Sequence, residues 1–586
     1  MTDFRNTNTL WASILVETLS KLGLKTAIIC PGSRSTPLAV AFAQHESIEA
    51  IPVLDERSAA FFGLGIAKRT GLPTVLVCTS GTAGANFYPA IIEARESRVP
   101  LLVLTADRPP QLRECHSGQT IEQIRLYSNY PNWQTELAVP SAEISQLRYL
   151  RQTIIYAWER SLFPVPGVVH LNIPFDDPLA PLPDGKDLSS IESQLESQDF
   201  FIGISPPEFS PTSPHRVSID NLVEEWKKSH QGIIIGGLAQ PQDPQEYCLA
   251  IARLSQILGF PVLAEGLSPL RNYADLNPNL ICTYDLILRN SELAEKLTPE
   301  IIIQIGELPT SKELRGWLDK SQSRRWIVDP SSHNFDPLHG NTTHIRSSLE
   351  NVVNLIGDNS LHPHNLDYLN QWHQFDTKVR DAISKKMETT EQLIEGKVAW
   401  LLSQFLPSLT QVFIANSMAV RDVEFFWMPN NLQNKTFFSR GANGIDGTLS
   451  TALGFAYQQK STFLLTGDLA LLHDTNGFLL SRKLVGSLTI ILINNNGGGI
   501  FQTLPIAKFE PPFEEFFATP QNIDFQKLSS TYEVEYQLIT NWQQLKKNLN
   551  LFPAQGIRVL EIKTNRQSDA HWLAENLPKF ATNILV

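Results

Sequence analysis

Residues 9–23 carry apolar side chains at helical spacing (Leu10, Ile14, Leu15, Leu19 and Leu22), and Gly23 stops the stripe. Four short apolar runs follow at 26–30 (TAIIC), 48–54 (IEAIPVL), 74–79 (TVLVCT) and 100–105 (PLLVLT), with helical patterns such as 86–95 between them. Strands alternating with helices predict βαβ units, a parallel sheet and right-handed crossovers. A second pattern of this kind spans 230–330, with strands at 232–236, 260–264, 300–305 and 325–328. A third begins near 370, with strands at 411–415, 435–438, 462–466, 488–493 and 558–563. Proline density at 176–215 and a polar His/Pro/Asn stretch at 357–368 read as linkers. The expected fold class is α/β, with three doubly wound parallel-sheet domains at 1–185, 210–356 and 370–586. The first and third are candidates for structural relatives.

A chain of 586 residues is long enough for several such cores. With 42% hydrophobic and 18% charged residues it is not disordered, collagenous or a disulfide scaffold. The formal net charge is −12 and no block of Lys or Arg occurs, so neither nucleic acid nor a basic membrane-binding surface is indicated. A local Arg cluster can still outweigh the global sign and hold an anion. Cys30, Cys78, Cys115, Cys248 and Cys282 are far apart with no CxxC, which reads as buried free thiols in a reducing compartment. The first segment has an acid at Asp3, no basic n-region and no small-residue cleavage site, so it reads as a native helix rather than a signal peptide. Apolar runs stay under about 12 residues, short of the roughly 20 that a membrane span requires. A soluble, cytoplasmic protein is expected.

Ligands of parallel sheets bind beyond the carboxyl ends of the strands. The first strand is followed by Pro31-Gly32-Ser33-Arg34-Ser35-Thr36-Pro37, where Ser35 or Thr36 is placed to cap the next helix. The second is followed by Asp55-Glu56-Arg57, the third by Ser80-Gly81-Thr82 and the fourth by Asp107-Arg108. One sheet edge thus gathers Ser33, Arg34, Glu56, Ser80, Thr82 and Arg108, and a helix N-terminus beside two Arg suits an anion. Glu56 opens a segment of small residues (Ala59, Ala60, Gly63, Gly65) among aromatics, which admits another backbone or a flat ligand. A carboxylate there reads either as a desolvated acid or as a favourable charge on the helix dipole. Gly63-Leu64-Gly65 lies inside a helix and lacks a third glycine, so it is no dinucleotide fingerprint; P-loop, GxSxG and HExxH patterns are absent.

In the third pattern the strand 462–466 ends in Gly467-Asp468, and the strand 488–493 ends in Asn494-Asn495-Asn496-Gly497-Gly498-Gly499. Neighbouring parallel strands then present Asp468 and Asn495 side by side. Two hard side-chain oxygens and a backbone carbonyl freed in the glycine run make half an octahedral Mg²⁺ shell, which phosphate oxygens and a water complete. The glycines let backbone N–H groups face the phosphates.

On these residues the sequence resembles the thiamine-diphosphate-dependent enzymes. Gly467-Asp468 and Asn494-Asn495 match that family's metal–diphosphate signature, and Glu56 its glutamate after the second strand of a separate domain. The order of pyrimidine-binding, middle and diphosphate-binding domains matches as well. Six stretches resemble one synthase subgroup: PGSRSTPLAVAF (31–42), DERSAAFFGLGIAK (55–68), TSGTAGANFYPAIIEA (79–94), LTADRPP (104–110), SRGANGIDGTLSTALG (439–454) and NNNGGGIF (494–501). That subgroup decarboxylates 2-oxoglutarate and adds the four-carbon carbanion to isochorismate, in menaquinone or phylloquinone biosynthesis. The alternatives are another thiamine-diphosphate-dependent 2-oxoacid decarboxylase or acetolactate-type synthase, and a scaffold on this fold that has lost catalysis.

The resemblance implies a thiamine-diphosphate-binding fold, thiamine diphosphate with Mg²⁺ (or Mn²⁺) as cofactors, and a homo-oligomer. A dimer is the minimum and a tetramer the analogy, because in the family Glu56 and Asp468 come from different chains. Glu56 becomes the catalytic acid, hydrogen-bonded to the pyrimidine ring N1′. Ile445 props the cofactor; Asp468, Asn495 and Gly497 hold the metal; Ser417, Leu469, Ala470 and Ile500 complete the cofactor contacts. Where the subgroup often has a hydroxyl this chain has Ala470, so a diphosphate contact there comes from backbone. The dicarboxylate substrates fall to Ser33, Arg34, Arg108, Gln119, Arg421 and Arg440, Arg being suited to bidentate carboxylate binding. Arg421 follows Ser417 by four residues, on one helical face. Phe501 and Leu504, with Ile500, wall the pocket against water. Gly118 stands where a polar residue is expected, and Lys312-Glu313, with Arg315 nearby, where two adjacent basic residues are.

Overall fold

The computed structural model describes residues 2–197, 199–207, 216–356 and 366–582, so the portions 208–215 and 357–365 of the two expected linkers lie outside the described residues. The chain forms two compact units, one of Met1–Phe209, Ser439–Tyr457 and His473–Leu484, the other of Ser210–Phe438, Gln458–Leu472 and Val485–Val586.

The first unit is built on six parallel strands: β1 (Thr26–Ile29), β2 (Glu49–Pro52), β3 (Thr74–Cys78), β4 (Leu101–Asp107), β5 (Trp133–Glu136) and β6 (Val168–Pro174), in the order β2-β1-β3-β4-β6-β5. The second unit holds two more such sheets. One contains β7 (Gly232–Gly236), β8 (Val262–Ala264), β9 (Leu280–Ile281), β10 (Ile301–Ile305), β11 (Arg324–Val328) and β12 (Thr342–Ile345), ordered β12-β11-β10-β7-β8-β9. The other contains β13 (Gln411–Ile414), β14 (Lys435–Phe438), β15 (Thr462–Gly467), β16 (Ser487–Asn494), β17 (Glu535–Ile539) and β18 (Gly556–Lys563), ordered β14-β13-β15-β16-β18-β17. Numbered within themselves, the first and third sheets share the order 2-1-3-4-6-5, and the middle sheet reads 3-2-1-4-5-6. The kinship suspected from periodicity is therefore visible as topology.

β3, β4 and β7 are buried along their whole length, which is why they read as continuous apolar runs. β6 is equally buried yet escapes the pattern, because His170 and Asn172 interrupt it. Both are satisfied inside: the His170 ring meets the Thr105 hydroxyl at 2.8 Å, and Asn172 donates to Asp107 at 2.9 Å. The other strands missing from the sequence pattern, β5, β9, β12 and β17, are short outer strands. The proline-rich stretch after 176 is not all linker. Ser189–Ser197 forms a helix, and Leu188, Leu195 and Phe200 close the core of the first sheet. The first helix, Thr7–Lys21, starts at a capping box between Asn6 and Thr9, and Gly23 follows it at φ 102°. Cys30, Cys78, Cys248 and Cys282 are buried and free, while Cys115 is exposed. Among the described residues no helix is long and apolar enough to cross a membrane.

Strand order reverses between β1 and β3 and again between β13 and β15, the points at which sheets of this kind bind ligands, beyond the carboxyl ends of the strands. In the middle sheet the reversal lies between β7 and β10. A bridge between Leu238 and Glu307 crosses it, and a Cβ on Gly237 would lie 1.8 Å from the Glu307 carbonyl oxygen. The backbones of 237–238 and Glu307 thus meet closely at this reversal point.

Candidate active site

In the first unit, the turn after β1 packs so closely that a Cβ on Gly32 would lie 2.2 Å from Thr79. The Ser35 hydroxyl donates to the Gly32 carbonyl at 3.1 Å and the Thr36 hydroxyl to the Ser33 carbonyl at 2.7 Å. Ser35 stands at the N-cap of the helix Thr36–Ala43 but makes no side-chain cap bond, contrary to the capping expectation; these hydroxyls close the turn instead. The turn exposes Ser33 and aims Arg34, whose Nη1 donates to the Phe175 carbonyl at 3.0 Å.

Arg108 leaves β4 and donates to the Ser80 hydroxyl and, at 2.7 Å, to the Gln119 carbonyl. Gln119 donates from Nε2 to the Ser80 carbonyl at 2.9 Å. Asp107 is engaged elsewhere, by the Arg108 N–H at 2.7 Å, by Asn172 and by Arg113 at 3.3 Å. Burial, and after it the positive charge of Arg34, hold the Arg108 guanidinium below its ordinary pKa. Two guanidiniums close enough to repel, one of them 3.9 Å from Asp177, with a hydroxyl and an amide beside them, have the chemistry of an anion site.

Glu56 is half-buried and opens the helix Glu56–Thr70, capped by Asp55, whose carboxylate accepts the Ser58 N–H at 2.9 Å. Burial pushes the Cys30 and Cys78 thiols up, and the Glu56 charge adds to both. The carboxylate therefore acts on the ends of β1 and β3, at the strand-order reversal.

The loop 439–447 belongs to the same unit. Glu93, buried on the helix Tyr88–Glu96, accepts the N–H groups of Gly441 at 3.2 Å and Ala442 at 2.7 Å, and also pairs with Ser97 at 2.6 Å and Lys68 at 3.4 Å. Gly447, at φ 63°, packs where a Cβ would meet the Phe61 ring at 1.9 Å. This loop carries Arg440 and the half-buried Ile445. Glu93 was missed in the sequence; its only signal is an acid on the apolar face of NFYPAIIEA.

In the second unit, Ser417, at φ 71°, leads from β13 into the helix Met418–Phe426, and Arg421 donates back to its carbonyl at 2.5 Å. Beyond β15, Asp468 opens the helix Asp468–His473, followed by Leu469 and the buried Ala470, and its Oδ2 accepts the Gly497 N–H at 2.8 Å. Burial pushes the Asp468 carboxyl up to about 6, against the N–H groups of Leu469 and Gly497. Beyond β16, Asn495 donates from Nδ2 to Glu395 at 2.6 Å, while its Oδ1 is buried without a hydrogen-bond partner. The glycine run is shaped from outside: Arg566 donates to the Asn496 carbonyl at 2.7 Å, Gly498 N–H to the Ala518 carbonyl at 2.7 Å, and a Cβ on Gly497 would lie 2.4 Å from that same carbonyl. Neither Glu395 nor Arg566 was singled out in the sequence, because both lie far along the chain from the motif they support. Among the described residues no cluster of three His, Cys, Asp or Glu is set to hold a metal. A carboxylate, an orphaned amide oxygen and a nearby glycine run make an oxygen donor set that fits a hard divalent cation.

A cavity of about 490 Å³ in this unit is lined by Arg289, Lys312, Glu313, Met418, Arg421 and Leu504, among others. Arg289 is held by Asp285 at 2.9 Å and lies 3.6 Å from Glu313, which leaves Lys312 and Arg421 as its less compensated cations. Ile500, on the short helix Gly499–Gln502, packs on the large core, and Phe501 meets Phe517 edge-on at 5.8 Å. Glu56, Ser33, Arg34, Arg108, Gln119, Arg440 and Ile445 thus belong to the first unit. Ser417, Arg421, Asp468, Leu469, Ala470, Asn495, Gly497, Ile500, Phe501 and Leu504 belong to the second.

Residues 11–126 match the family model "Thiamine pyrophosphate enzyme, N-terminal TPP binding domain", and residues 209–414 match "Middle domain of thiamine pyrophosphate". The chain is 62% identical over 579 residues, 99% of each chain, to the 2-succinyl-5-enolpyruvyl-6-hydroxy-3-cyclohexene-1-carboxylate synthase of Gloeothece citriformis. It is 61% identical to the enzyme of the same name from Nostoc sp., over 100% of this chain and 99% of that one. Trichormus variabilis has another at 61%, again over 100% and 99%. Among solved structures, benzoylformate decarboxylase from Polynucleobacter necessarius shares the fold, with a TM-score of 0.69 over 95% of this chain and 98% of that one at 14% identity.

Proposed function

Since the chain belongs to the 2-succinyl-5-enolpyruvyl-6-hydroxy-3-cyclohexene-1-carboxylate synthases, a family of thiamine-diphosphate enzymes, we propose that it decarboxylates 2-oxoglutarate and adds the resulting succinyl carbanion to isochorismate, releasing CO₂. It is a thiamine-diphosphate-dependent enzyme of quinone biosynthesis. The finer parts of the reading are Mg²⁺ or Mn²⁺ as the metal, a cytoplasmic homo-oligomer (a dimer at least, and a tetramer by analogy), and three domains near 1–185, 210–356 and 370–586. The observation that supports the site best is Asn495 Oδ1, buried and unpartnered beside an Asp468 carboxylate already tied to the glycine run.

When bound, thiamine diphosphate supplies the carbon nucleophile that attacks a 2-oxoacid and takes up the electron pair left by CO₂. Asp468, Asn495 and the Gly497 carbonyl would hold a divalent cation for the diphosphate, and Leu469, Ala470 and Ser417 would contact the cofactor by backbone or hydroxyl. Glu56 shares a proton with the pyrimidine N1′, so that the ring can act as a base. Ile445, on the Glu93-clamped loop, would support the cofactor, and Ile500 would pack against it. Arg34 and Arg108, with Ser33 and Gln119, bind substrate carboxylate in one unit; Arg440, on the clamped loop, takes another. Lys312 and Arg421 take carboxylate in the cavity. Phe501 and Leu504 keep out the water that would protonate a carbanion.

Glu56→Gln tests this directly. It preserves size but cannot supply the proton, so thiamine diphosphate should still bind with Mg²⁺ in calorimetry while turnover falls by orders of magnitude. Succinic semialdehyde as the sole product from 2-oxoglutarate in the presence of isochorismate would overturn the carboligation.

A further inference from the structure

We propose that Glu395 is a positioning residue for the metal, holding the Asn495 amide so that its oxygen, not its nitrogen, faces the cation; this rests on the reading of Asp468, Asn495 and Gly497 as the metal shell. Glu395 opens the helix Glu395–Phe405, is 4% exposed, and is anchored by its own N–H on the Asp569 carboxylate at 3.2 Å. From that fixed place its Oε1 accepts Asn495 Nδ2 at 2.6 Å. An asparagine amide is nearly symmetric in shape, so only its neighbours decide which way it points. An ionised carboxylate offers only acceptors. It therefore selects the orientation that turns the NH₂ group toward Glu395, and this is what leaves Oδ1 buried and without a partner. The flipped amide would set oxygen against oxygen at Glu395 and turn two N–H donors on a cation. Asp569 is engaged by the Glu395 backbone, and hydrogen bonding to Asn495 Nδ2 falls to Glu395 at 2.6 Å. A ligand orienter of this kind is the usual outer support of a metal site.

Glu395→Met removes the acceptor at similar volume, Glu395→Ala removes it with space to spare, and Glu395→Gln can turn an amide oxygen to Asn495. Each full-length apoprotein is titrated with Mg²⁺ at fixed thiamine diphosphate, by calorimetry and by tryptophan fluorescence, and its apo melting temperature is recorded. The expected result is a ten- to hundredfold weaker apparent Mg²⁺ affinity in Met and Ala, the range seen when such outer partners are lost. The apo melting temperature of Glu395→Met should stay near the parent's, that of Glu395→Ala should fall for the cavity it leaves, and Gln should stay close to the parent affinity. Parental Mg²⁺ affinity in Glu395→Met overturns the proposal. So does a loss in Glu395→Gln as large as in Glu395→Met, which would assign the effect to charge. Failure of both Met and Ala to fold would assign Glu395 to the core and overturn it too. A parent protein that binds no thiamine diphosphate with Mg²⁺ would instead overturn the functional reading beneath it.

Discussion

Arg108 shows how a site residue is made rather than merely placed. Its guanidinium spends hydrogen bonds on a hydroxyl and a carbonyl, the neighbouring Asp107 is turned away to Asn172 and Arg113, and Arg34 adds a like charge. On the proposed function a dicarboxylate would relieve that repulsion, the planar fork offering it two parallel N–H groups. Arg108→Lys keeps the charge but not the fork. The apparent KM for the carboxylate substrates should rise about ten- to hundredfold, the scale of losing one or two charge-assisted hydrogen bonds, with thiamine diphosphate binding unchanged. An unchanged KM in steady-state kinetics would remove Arg108 from the substrate site. At this scale the sequence was readable where chemistry sits next to a strand end, as at Arg34, Arg108 and Asp468. It was silent on Glu93, Glu395 and Arg566, whose work is done on backbone or amide groups about 70 to 350 residues away along the chain. Nothing local distinguishes such a residue from an ordinary buried acid or helix-opening arginine.

Between elements, one contact controls much of the first unit. The helices Glu56–Thr70 and Thr448–Ala456 cross with backbone on backbone: a Cβ on Gly65 would lie 2.2 Å from the Thr451 carbonyl oxygen, and one on Gly454 would lie 2.2 Å from the Phe62 carbonyl oxygen. The first of these helices begins at Glu56, and the second continues the loop that carries Ile445. Gly65→Ala must push the helices apart, at a cost of about 1–3 kcal/mol or more by the precedent of overpacked cores. A lower apo melting temperature should accompany a lower kcat/KM. Gly316→Ala is the control: it lies inside the helix Lys312–Ser321 with nothing within 4 Å of its Cβ, so the helix should gain up to about 1 kcal/mol. A Gly65→Ala protein that melts no lower than the parent would show that the helices can part without cost. The small-residue run in SAAFFGLGIAK already announced a close approach, although not by which element. Interior strands were legible for the matching reason, that burial on both faces demands an unbroken apolar run. β6 was not, since its interior polar pair is paid for by partners on β4.

On the scale of the molecule, the shared 2-1-3-4-6-5 order means that the Glu56 sheet and the Asp468 sheet are two versions of one architecture, each with its own reversal point. No hydropathy pattern reports strand order, so that kinship stayed a suspicion until the ladders were traced. On the proposed function, the Glu56 end of one sheet and the Asp468 end of the other serve a single cofactor. If they do so across subunits, as the family resemblance implies, two dead variants should repair each other. In a mixed dimer of Glu56→Gln with Asp468→Asn, one site receives both lesions and the other receives neither. Random reassortment makes half of the dimers mixed, and half of the sites in those are intact, so activity should return to about a quarter of the parent value at equal total protein, on the mass-action logic of closed two-fold assemblies. The measurement is synthase activity after the two purified variants are dissociated together and reassembled, with each variant alone as the blank. Sites confined to one chain would give no recovery at any mixing ratio, because every site would then keep one lesion.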